Sequence, residues 1–265
     1  MAKFTKEQYS TLIAQIPSLI EKKLSVKEIA EALKISYSAT YRLIAKLGLK
    51  VPNYHNRLKF NNTVFDIIDT EEKAYWLGFL YADGNVHSKM NVVNITLKKE
   101  DSCHLKKLNS FLENEVDIKY HTVNNKYECC RLAICDKHFK ERLIELGCVP
   151  NKSLVLQFPS IDLFTDPVLI YSFIRGYVDG DGCLTFSRNG RLSIQILGTY
   201  QFLSKLSEYF PDKFHLYKIK RLKSNTWTLS CSGNNADFIA NVLYKNAHIY
   251  LQRKYNRFVV LCRNA

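Results

Sequence analysis

The chain contains an internal repeat that constrains its fold more than any other feature. Residues 74–84 read Ala-Tyr-Trp-Leu-Gly-Phe-Leu-Tyr-Ala-Asp-Gly, and residues 172–182 read Ser-Phe-Ile-Arg-Gly-Tyr-Val-Asp-Gly-Asp-Gly. Each segment is apolar, has an internal glycine and ends in Asp-Gly, which is typical of a helix that stops at its last two residues. The two copies lie about a hundred positions apart, which is the length of a whole subdomain. The repeat therefore predicts two copies of one fold, preceded by an N-terminal extra segment.

The glycines inside these two helices need a structural reason, because glycine costs a helix about 1 kcal/mol relative to alanine. In each helix a second small residue follows four positions later, on the same face. Such a stripe lets two helix backbones approach closely, so we expect the two helices to cross each other about a pseudo-two-fold axis. The predicted helix-interface residues are Gly78, Ala82, Gly176 and Gly180.

Two aspartates end the two helices and should lie side by side below the crossing. Asp83 and Asp181 are each followed by a glycine, Gly84 or Gly182, which we expect to stop its helix in the left-handed conformation. Paired carboxylates at helix C-termini repel each other and the helix dipole, so a cation should compensate them. A hard divalent ion such as Mg²⁺ fits oxygen ligands, and carboxylate-held metals are used for phosphodiester hydrolysis. The alternative, that these are ordinary helix-end residues, is disfavoured by their occurrence at matching places.

The repeated segments resemble the paired motifs of LAGLIDADG homing endonucleases. Over residues 76–84 and 174–182, glycine stands at the third place, aspartate at the eighth and glycine at the ninth. At the variable place before them, the first copy has Tyr81 and the second has Asp179. The resemblance implies an α+β fold of two αββαββα repeats whose sheets form a saddle over DNA. It also implies a monomer that cleaves both strands across the minor groove, at a long asymmetric site, leaving 3′ overhangs. The implied cofactor is Mg²⁺, with Mn²⁺ able to substitute, and the implied metal-binding residues are Asp83, Asp181, Ala82 and Gly180.

The domain organisation follows from the repeat and from the segments around it. Residues 64–155 are assigned to the first repeat and residues 156–265 to the second. Residues 51–63 are polar, basic and rich in asparagine, as is typical of a linker.

Residues 1–50 contain two capped helices that resemble a helix-turn-helix, in which the second helix enters the major groove. The residues expected to face DNA are Tyr37, Ser38, Tyr41, Arg42 and Lys46. A helical hairpin for protein contact stays open as an alternative.

Charge and composition agree with a nucleic-acid partner. The chain of 265 residues carries a formal net charge of +13, and a basic protein of this kind favours a polyanion. No apolar run approaches the roughly 18 residues of a membrane span, and the N-terminus does not resemble a signal peptide. We therefore expect a cytoplasmic protein without a membrane partner, and an organellar or phage origin stays open. The eight cysteines lack zinc-ligand spacing and are expected to be free thiols.

The strands of each repeat alternate apolar residues with polar or basic ones, which predicts one sheet face against the helices and one toward DNA. The predicted strand and turn contacts are Lys89, Lys98, Lys119, His121, Arg131, Arg188, Arg191, Gln195, Lys218, Lys220, Arg221 and Lys223. The family commonly has a glutamine or a basic residue on the second strand and a lysine on the third. Gln195 fits the first role in the second repeat, and Leu97 or its neighbour Lys98 is the expected counterpart. Lys119 and Lys220 are the candidate third-strand lysines.

Three functions compete. A site-specific endonuclease is favoured, because both aspartates are present. A catalytically inactive DNA-binding regulator and an RNA-binding intron maturase on the same fold are the alternatives.

Overall fold

The computed structural model describes residues 5–22, 24–51, 60–114, 116–124, 126–219 and 226–264. The chain divides into two compact units, residues 1–58 and residues 59–265. None of the described helices is both long enough and apolar enough to cross a membrane.

The N-terminal unit is a small helical cluster. Its helices are α1 (Lys6–Glu21), α2 (Val26–Ala32) and α3 (Tyr37–Lys46). Ser25 caps α2 in a reciprocal capping box with Glu28, and the Ser36 hydroxyl accepts from the Ala39 N–H at the start of α3. The buried apolar residues that join the three helices are Ile16, Ile29, Leu43 and Ile44. Strong caps compensate for helices too short to be stable alone.

The second unit begins with the first αββαββα repeat. Its elements are α4 (Glu71–Asp83), β1 (Gly84–Val86), β2 (Val93–Lys98), α5 (Ser102–Phe111), β3 (Lys119–Val123), β4 (Tyr127–Ile134) and α6 (Lys137–Glu145), with a 3₁₀ turn at Lys99–Asp101. The four strands form one antiparallel sheet in the order β1-β2-β4-β3.

The second repeat has the same order of elements and one more helix. It consists of α7 (Leu169–Asp181), β5 (Gly182–Phe186), β6 (Leu192–Gly198), α8 (Tyr200–Ser207), β7 (His215–Lys218), β8 (Trp227–Ser232), α9 (Asn234–Tyr244) and α10 (Gln252–Asn264). Its antiparallel sheet has the matching order β5-β6-β8-β7. Short 3₁₀ turns at Lys152–Leu154 and Ile161–Leu163 lie between the repeats. The predicted α+β fold of two αββαββα repeats is confirmed, and α10 is an addition that the repeat pattern does not predict.

Alternation along the strands separates a core face from an open face in each sheet. Ile95 of β2 pairs with Leu132 of β4, and Ile196 of β6 pairs with Leu229 of β8. All four side chains are buried in one core that runs through both repeats. The residues between them therefore point to the opposite face, as the two-residue period requires.

The prediction that Gly84 and Gly182 end their helices in the left-handed conformation is wrong. Their φ angles are −69° and −86°, so the chain passes directly from helix to extended strand. Glycine is needed at both places for a different reason. A Cβ atom would lie 2.4 Å from the Leu80 carbonyl oxygen at Gly84, and 2.4 Å from the Val178 carbonyl oxygen at Gly182. The abrupt turn folds the backbone onto the preceding helical turn, and a side chain would not fit.

Candidate functional site

The two central helices cross in direct backbone contact. A Cβ atom on Gly78 of α4 would lie 1.9 Å from the Phe173 carbonyl oxygen of α7. Its counterpart on Gly176 would lie 2.0 Å from the Tyr75 carbonyl oxygen of α4. Both contacts are far inside van der Waals distance, so neither glycine can be replaced while the crossing keeps its geometry.

The second pair of small residues brings the helix ends together. A Cβ atom on Gly180 would lie 2.2 Å from the Ala82 Cβ atom and 3.3 Å from the Asp83 Oδ2 atom. The structure therefore brings together all four predicted interface residues, and it places Asp83 of one helix beside the last turn of the other. Asp181 ends that second helix. Two carboxylates from different repeats thus converge below the crossing.

Two lysines that the sequence analysis did not select complete this centre. The Lys152 Nζ atom donates to the Ala82 carbonyl oxygen at 2.9 Å and also to the Gly84 carbonyl oxygen. The Lys254 Nζ atom donates to the Val178 and Asp179 carbonyl oxygens, both at 2.6 Å. Each ammonium group therefore satisfies carbonyls at the C-terminal end of its own repeat's central helix, where the helix dipole is negative.

A sequence signal for these lysines exists. Asn151-Lys152-Ser153 follows the last helix of the first repeat, and Arg253-Lys254-Tyr255 stands at the corresponding place after the second. Each lysine lies about seventy residues beyond the aspartate of its repeat, so the spacing repeats as the aspartates do. A search for cations repeated with the period of the aspartates would have found them.

The pKa values of the two carboxylates are raised above their ordinary range. Burial and the nearby Asp181 carboxylate raise the pKa of Asp83 to about 6, against the opposing effects of Lys254 and Lys152. Desolvation raises the pKa of Asp181 as well, although the residue is exposed, and Lys152, Lys254 and a hydrogen bond from Tyr177 oppose that rise. Like charges held close in a partly dry site have this effect, and such sites are typical of functional centres.

Both lysines act on both carboxylates: Lys152 and Lys254 each lower the pKa of Asp83 and of Asp181. A cavity of about 180 Å³ is lined by Lys152, Asp181 and Ala82 together. The centre therefore consists of two carboxylates and two ammonium groups.

Lys254 itself is almost completely buried, with 2% of its surface exposed. Burial lowers its pKa to about 8, while the neighbouring Asp179, Asp83 and Asp181 carboxylates oppose that shift. An ammonium group in such a site loses its proton more readily than an exposed one.

The open face of the first sheet carries the predicted cations. The register pairs Thr96 with Arg131 and Arg131 with Lys119, so these three side chains share one face. Lys98 and His121 flank Cys129 in the next row of the same face. Lys98, Lys119, His121 and Arg131 are all exposed, and Lys89 is exposed in the loop between β1 and β2. Four groups that carry or can acquire positive charge therefore lie on one surface.

The open face of the second sheet has different chemistry. Gln195 pairs with Cys183 and with Ser230, and Ser230 pairs with His215. The described side chains on this face are neutral polar groups, a leucine, an aromatic group and a histidine. They are Cys183, Thr185, Ser193, Gln195, Leu197, Thr228, Ser230, Ser232, His215 and Tyr217. Arg188 and Arg191 are exposed around the turn between β5 and β6, and Lys220, Arg221 and Lys223 lie outside the described residues.

Lys218 does not belong to the Gln195 face. It lies two residues from Leu216, which pairs with the buried Leu229, and it pairs with Trp227 at the end of the strand. Since side chains alternate along a strand, Lys218 points to the helix side of the sheet, although it is exposed at the edge.

The register also changes the predicted equivalences between the repeats. Gly84 pairs with Ile95, and Gly182 pairs with Ile196, which makes Asn94 the counterpart of Gln195. The expected counterpart at Leu97 or Lys98 is therefore wrong. The hairpin of the first repeat is shorter than that of the second, because β1 has three residues and β5 has five, and a strand register cannot be transferred by counting residues across such a difference. By the same register Lys119 corresponds to Tyr217, so it has no matching lysine.

In the N-terminal unit, the residues predicted to face DNA lie on the solvent side of α3. Tyr37, Ser38, Tyr41, Arg42 and Lys46 are all exposed, whereas Thr40, Leu43 and Ile44 on the opposite face are buried. The Lys46 ammonium lies over the Tyr9 ring, 5.1 Å from its centroid. The helix therefore presents aromatic, hydroxyl and basic groups on one surface.

The donor set at the helix ends fits a hard divalent cation. The free oxygen donors are the Asp83 and Asp181 carboxylates, and carboxylates suit Mg²⁺, which usually keeps several waters. The carbonyl oxygens of Ala82 and Gly180 lie beside them and accept from the Lys152 and Lys254 ammonium groups at 2.9 and 3.4 Å. Within the described residues, no cluster of three or more His, Cys, Asp or Glu side chains forms a denser metal site. Asp83 and Asp181 are the side chains that would hold such an ion at the helix ends.

Comparison with protein-family models gives no match, and neither does comparison with curated proteins. Solved structures do resemble this chain. The meganuclease I-SmaMI bound to uncleaveable DNA matches with 16% identity and a TM-score of 0.46, over 73% of this chain and 90% of that chain. The I-LtrWI LAGLIDADG homing endonuclease bound to target DNA matches with 11% identity and a TM-score of 0.48, over 72% and 90%. I-SmaMI bound to uncleaved DNA in the presence of calcium ions matches with 15% identity and a TM-score of 0.45, over 72% and 89%. These TM-scores are low, so the assignment below rests on the geometry of this chain.

Proposed function

We propose that the protein is a site-specific endonuclease that hydrolyses one phosphodiester bond in each strand of double-stranded DNA. The observation that carries this proposal is the convergence of two aspartates and two lysines at the ends of the crossed helices. Two carboxylates from different repeats provide one reaction centre for each strand. A hydrolase that cleaves a single strand would need only one aspartate with its neighbouring lysine.

The roles of the protein groups follow from their charges. Asp83 and Asp181 would hold the divalent ions, with the carbonyl oxygens of Ala82 and Gly180 nearby. When bound, the metal supplies a Lewis acid and a water of lowered pKa for attack on phosphorus. Lys152 and Lys254 place positive charge next to the carboxylates, where negative charge develops on the phosphate in the transition state.

The polar residues of the open sheet faces would order the substrate. Gln195 and Asn94 occupy equivalent places beside the centre, and both can orient water or phosphate through their amides. Lys98, Lys119, His121 and Arg131 would contact DNA phosphates or base edges in the first half-site. In the second half-site Gln195, Arg188 and Arg191 would do so. Lys220, Arg221 and Lys223, which lie outside the described residues, are proposed as further contacts.

The two faces differ in chemistry, which favours an asymmetric target. Among the described strand residues, the face for one half-site carries cations, whereas the face for the other carries largely neutral hydrogen-bonding groups. Both repeats are in one chain, so a monomer supplies both centres and no palindromic target is required.

The direct test is cleavage of a randomised DNA library by the purified protein with Mg²⁺ or Mn²⁺, with EDTA as the control. We expect recovered ends to define one long asymmetric site with 3′ overhangs, and no cleavage with EDTA. Sequence-specific DNA binding without cleavage under any metal would identify a DNA-binding regulator instead. Specific binding only to structured RNA would identify a maturase.

We further propose that residues 1–50 form a helix-turn-helix DNA-binding domain tethered by residues 51–63. The exposed aromatic and basic surface of α3 supports this assignment. Deleting residues 1–60 should leave a folded nuclease with weaker binding and a shorter footprint on the selected site. An unchanged footprint would show that this unit binds something other than DNA.

A further inference from the structure

The second central helix contains a buried carboxylate that the proposed chemistry does not use. Asp179 of α7 is fully buried, and the corresponding residue of α4 is Tyr81. The Asp179 Oδ2 atom accepts from the Tyr75 hydroxyl and from the Leu251 N–H, each at 2.7 Å. Its Oδ1 atom accepts from the Tyr244 hydroxyl at 2.7 Å. Three donors from three separate segments therefore converge on this one side chain.

One of these donors begins the turn that carries Lys254. The Lys254 N–H and the Tyr255 N–H both donate to the Leu251 carbonyl oxygen at 3.0 Å, so Leu251 fixes the first turn of α10. The Lys254 side chain then returns to the Val178 and Asp179 carbonyl oxygens of α7. Asp179 is thus hydrogen-bonded to the Lys254 segment at two points. Its carboxylate accepts from the Leu251 N–H, and its backbone carbonyl oxygen accepts from the Lys254 ammonium group.

Within the described residues of the first repeat, no carboxylate holds the segment that carries Lys152 in this way. The Tyr81 hydroxyl donates to the Leu146 carbonyl oxygen, which follows the last residue of α6 and precedes Lys152 by six positions. Lys152 itself is only half-buried, in a 3₁₀ turn after Asn151, whose φ is 55°. The lysine of the first repeat is therefore held by helix-end carbonyls without a carboxylate that fixes its backbone.

We propose that Asp179 is a positioning residue that sets Lys254 at the C-terminal end of α7, and that it serves Lys254 and not Lys152. The inference rests on the proposed nuclease function. Because the Tyr75 donor belongs to the first repeat, placement of the second repeat's lysine also depends on contact between the repeats. Hydrogen bonds of this kind to supporting groups typically change activity by roughly 10- to 100-fold when lost.

The first test is strand-resolved cleavage by Asp179→Asn on the selected DNA site. Lys152→Met and Lys254→Met serve as references, because each removes the ammonium group at the end of one central helix. Asp179→Asn should slow, by roughly 10- to 100-fold, the strand that Lys254→Met slows and Lys152→Met spares, so that nicked DNA accumulates. Equal slowing of both strands would indicate a loss of folded protein and would overturn the proposal, as would unchanged cleavage of both.

The second test requires no DNA and therefore separates this inference from the proposed function. Amine acylation followed by peptide mass spectrometry measures how accessible each lysine is. Lys254 should be protected in the unmodified protein and become reactive in Asp179→Asn. The matched control is Tyr81→Phe, which removes the hydroxyl at the equivalent place of α4 and should leave Lys254 protected.

A milder variant covers the case in which Asp179→Asn does not fold. Tyr75→Phe keeps the carboxylate and removes only the donor from the first repeat, so Lys254 should gain partial reactivity. Continued protection of Lys254 in folded Asp179→Asn or, if that variant does not fold, in Tyr75→Phe would overturn the proposal. If the unmodified protein cleaves no DNA, the nuclease assignment fails while the acylation result still decides the role of Asp179.

Discussion

The two central helices share their glycines and their terminal aspartates but differ in how they are anchored. On α7, Arg175 and Asp179 lie one turn apart and are both buried, and at the corresponding places α4 has Leu77 and Tyr81. The Arg175 guanidinium donates to the carbonyl oxygens of Ile249 at 2.9 Å and Leu243 at 3.0 Å. α7 is thus fixed to the C-terminal segment by charged groups in its middle, whereas the corresponding places of α4 contribute apolar packing and the Tyr81 phenol.

Two kinds of structural constraint act on the residues of these helices. The glycines and aspartates are common to both repeats because the crossing and the reaction centre need them twice. The intervening positions differ because each helix must hold a different segment, and only the second repeat has α10 behind it. A duplicated fold can therefore keep a symmetric centre while its supports become asymmetric.

A substitution at a glycine that both central helices share should reduce stability most. In Gly176→Leu even the first side-chain carbon would lie 2.0 Å from the Tyr75 carbonyl oxygen, and backbone cannot yield as a flexible side chain does. We expect the second unit to lose more than the roughly 1–3 kcal/mol of ordinary overpacking, measured by urea unfolding followed by circular dichroism. The control is Gly190→Ala, which meets no atom within 4 Å and bears only the cost of its φ of 71°, roughly 1–2 kcal/mol. Equal stability of the two variants would show that the crossing is not close-packed.

Replacing a buried residue of α7 by its counterpart in α4 should have the next largest effect on stability. Arg175→Leu gives α7 the residue that α4 has, and it removes the ion pair to Glu71, whose Nη2–Oε1 distance is 2.6 Å. It also leaves the Ile249 and Leu243 carbonyls without this donor. Loss of the donor leaves these two buried carbonyl oxygens unsatisfied, at about 1–3 kcal/mol each, which urea unfolding would measure. The matched control Leu77→Met conserves volume and should cost less than about 1.5 kcal/mol. A loss no larger than that of the control would mean that the two anchors are equivalent.

The third prediction uses pH to distinguish the anchors. On the first-repeat side, the Tyr75 hydroxyl meets the His104 Nε2 atom at 3.0 Å. Burial lowers the pKa of His104 to about 3, with Lys107 contributing. The unfolded histidine binds a proton below its ordinary pKa of about 6.5 while the folded one stays neutral, so its contribution to stability is lost as pH falls below that value.

Comparison with His104→Gln isolates this effect from the carboxylates, whose raised pKa values act in the opposite direction. Between pH 6.5 and 4, the unfolding free energy of the unmodified protein should fall relative to the variant by up to about 1.4 kcal/mol per pH unit. Parallel pH profiles would show that His104 does not titrate on unfolding.

Much of this architecture could be predicted from the sequence, because its strongest determinants are periodic. The repeated Gly and Asp positions predict the crossing and the paired carboxylates, and the capped segments predict α2 and α3. Lys152 and Lys254 were missed because their role depends on a return of the chain to helix ends about seventy residues away, which local patterns do not encode. The counterpart of Gln195 was misplaced because strand register depends on loop length and pairing. The anchoring role of Asp179 is invisible in sequence, since its three donors come from distant segments.

The central claim is that each aspartate serves one strand at a shared centre. The most direct measurement is strand-resolved cleavage of the selected DNA site by Asp83→Asn and by Asp181→Asn, with DNA affinity measured on the same proteins. Each variant should lose double-strand cleavage and keep nearly all its affinity, because affinity comes mainly from phosphate contacts along the sheets. Near-normal cleavage of both strands by either variant would contradict the account.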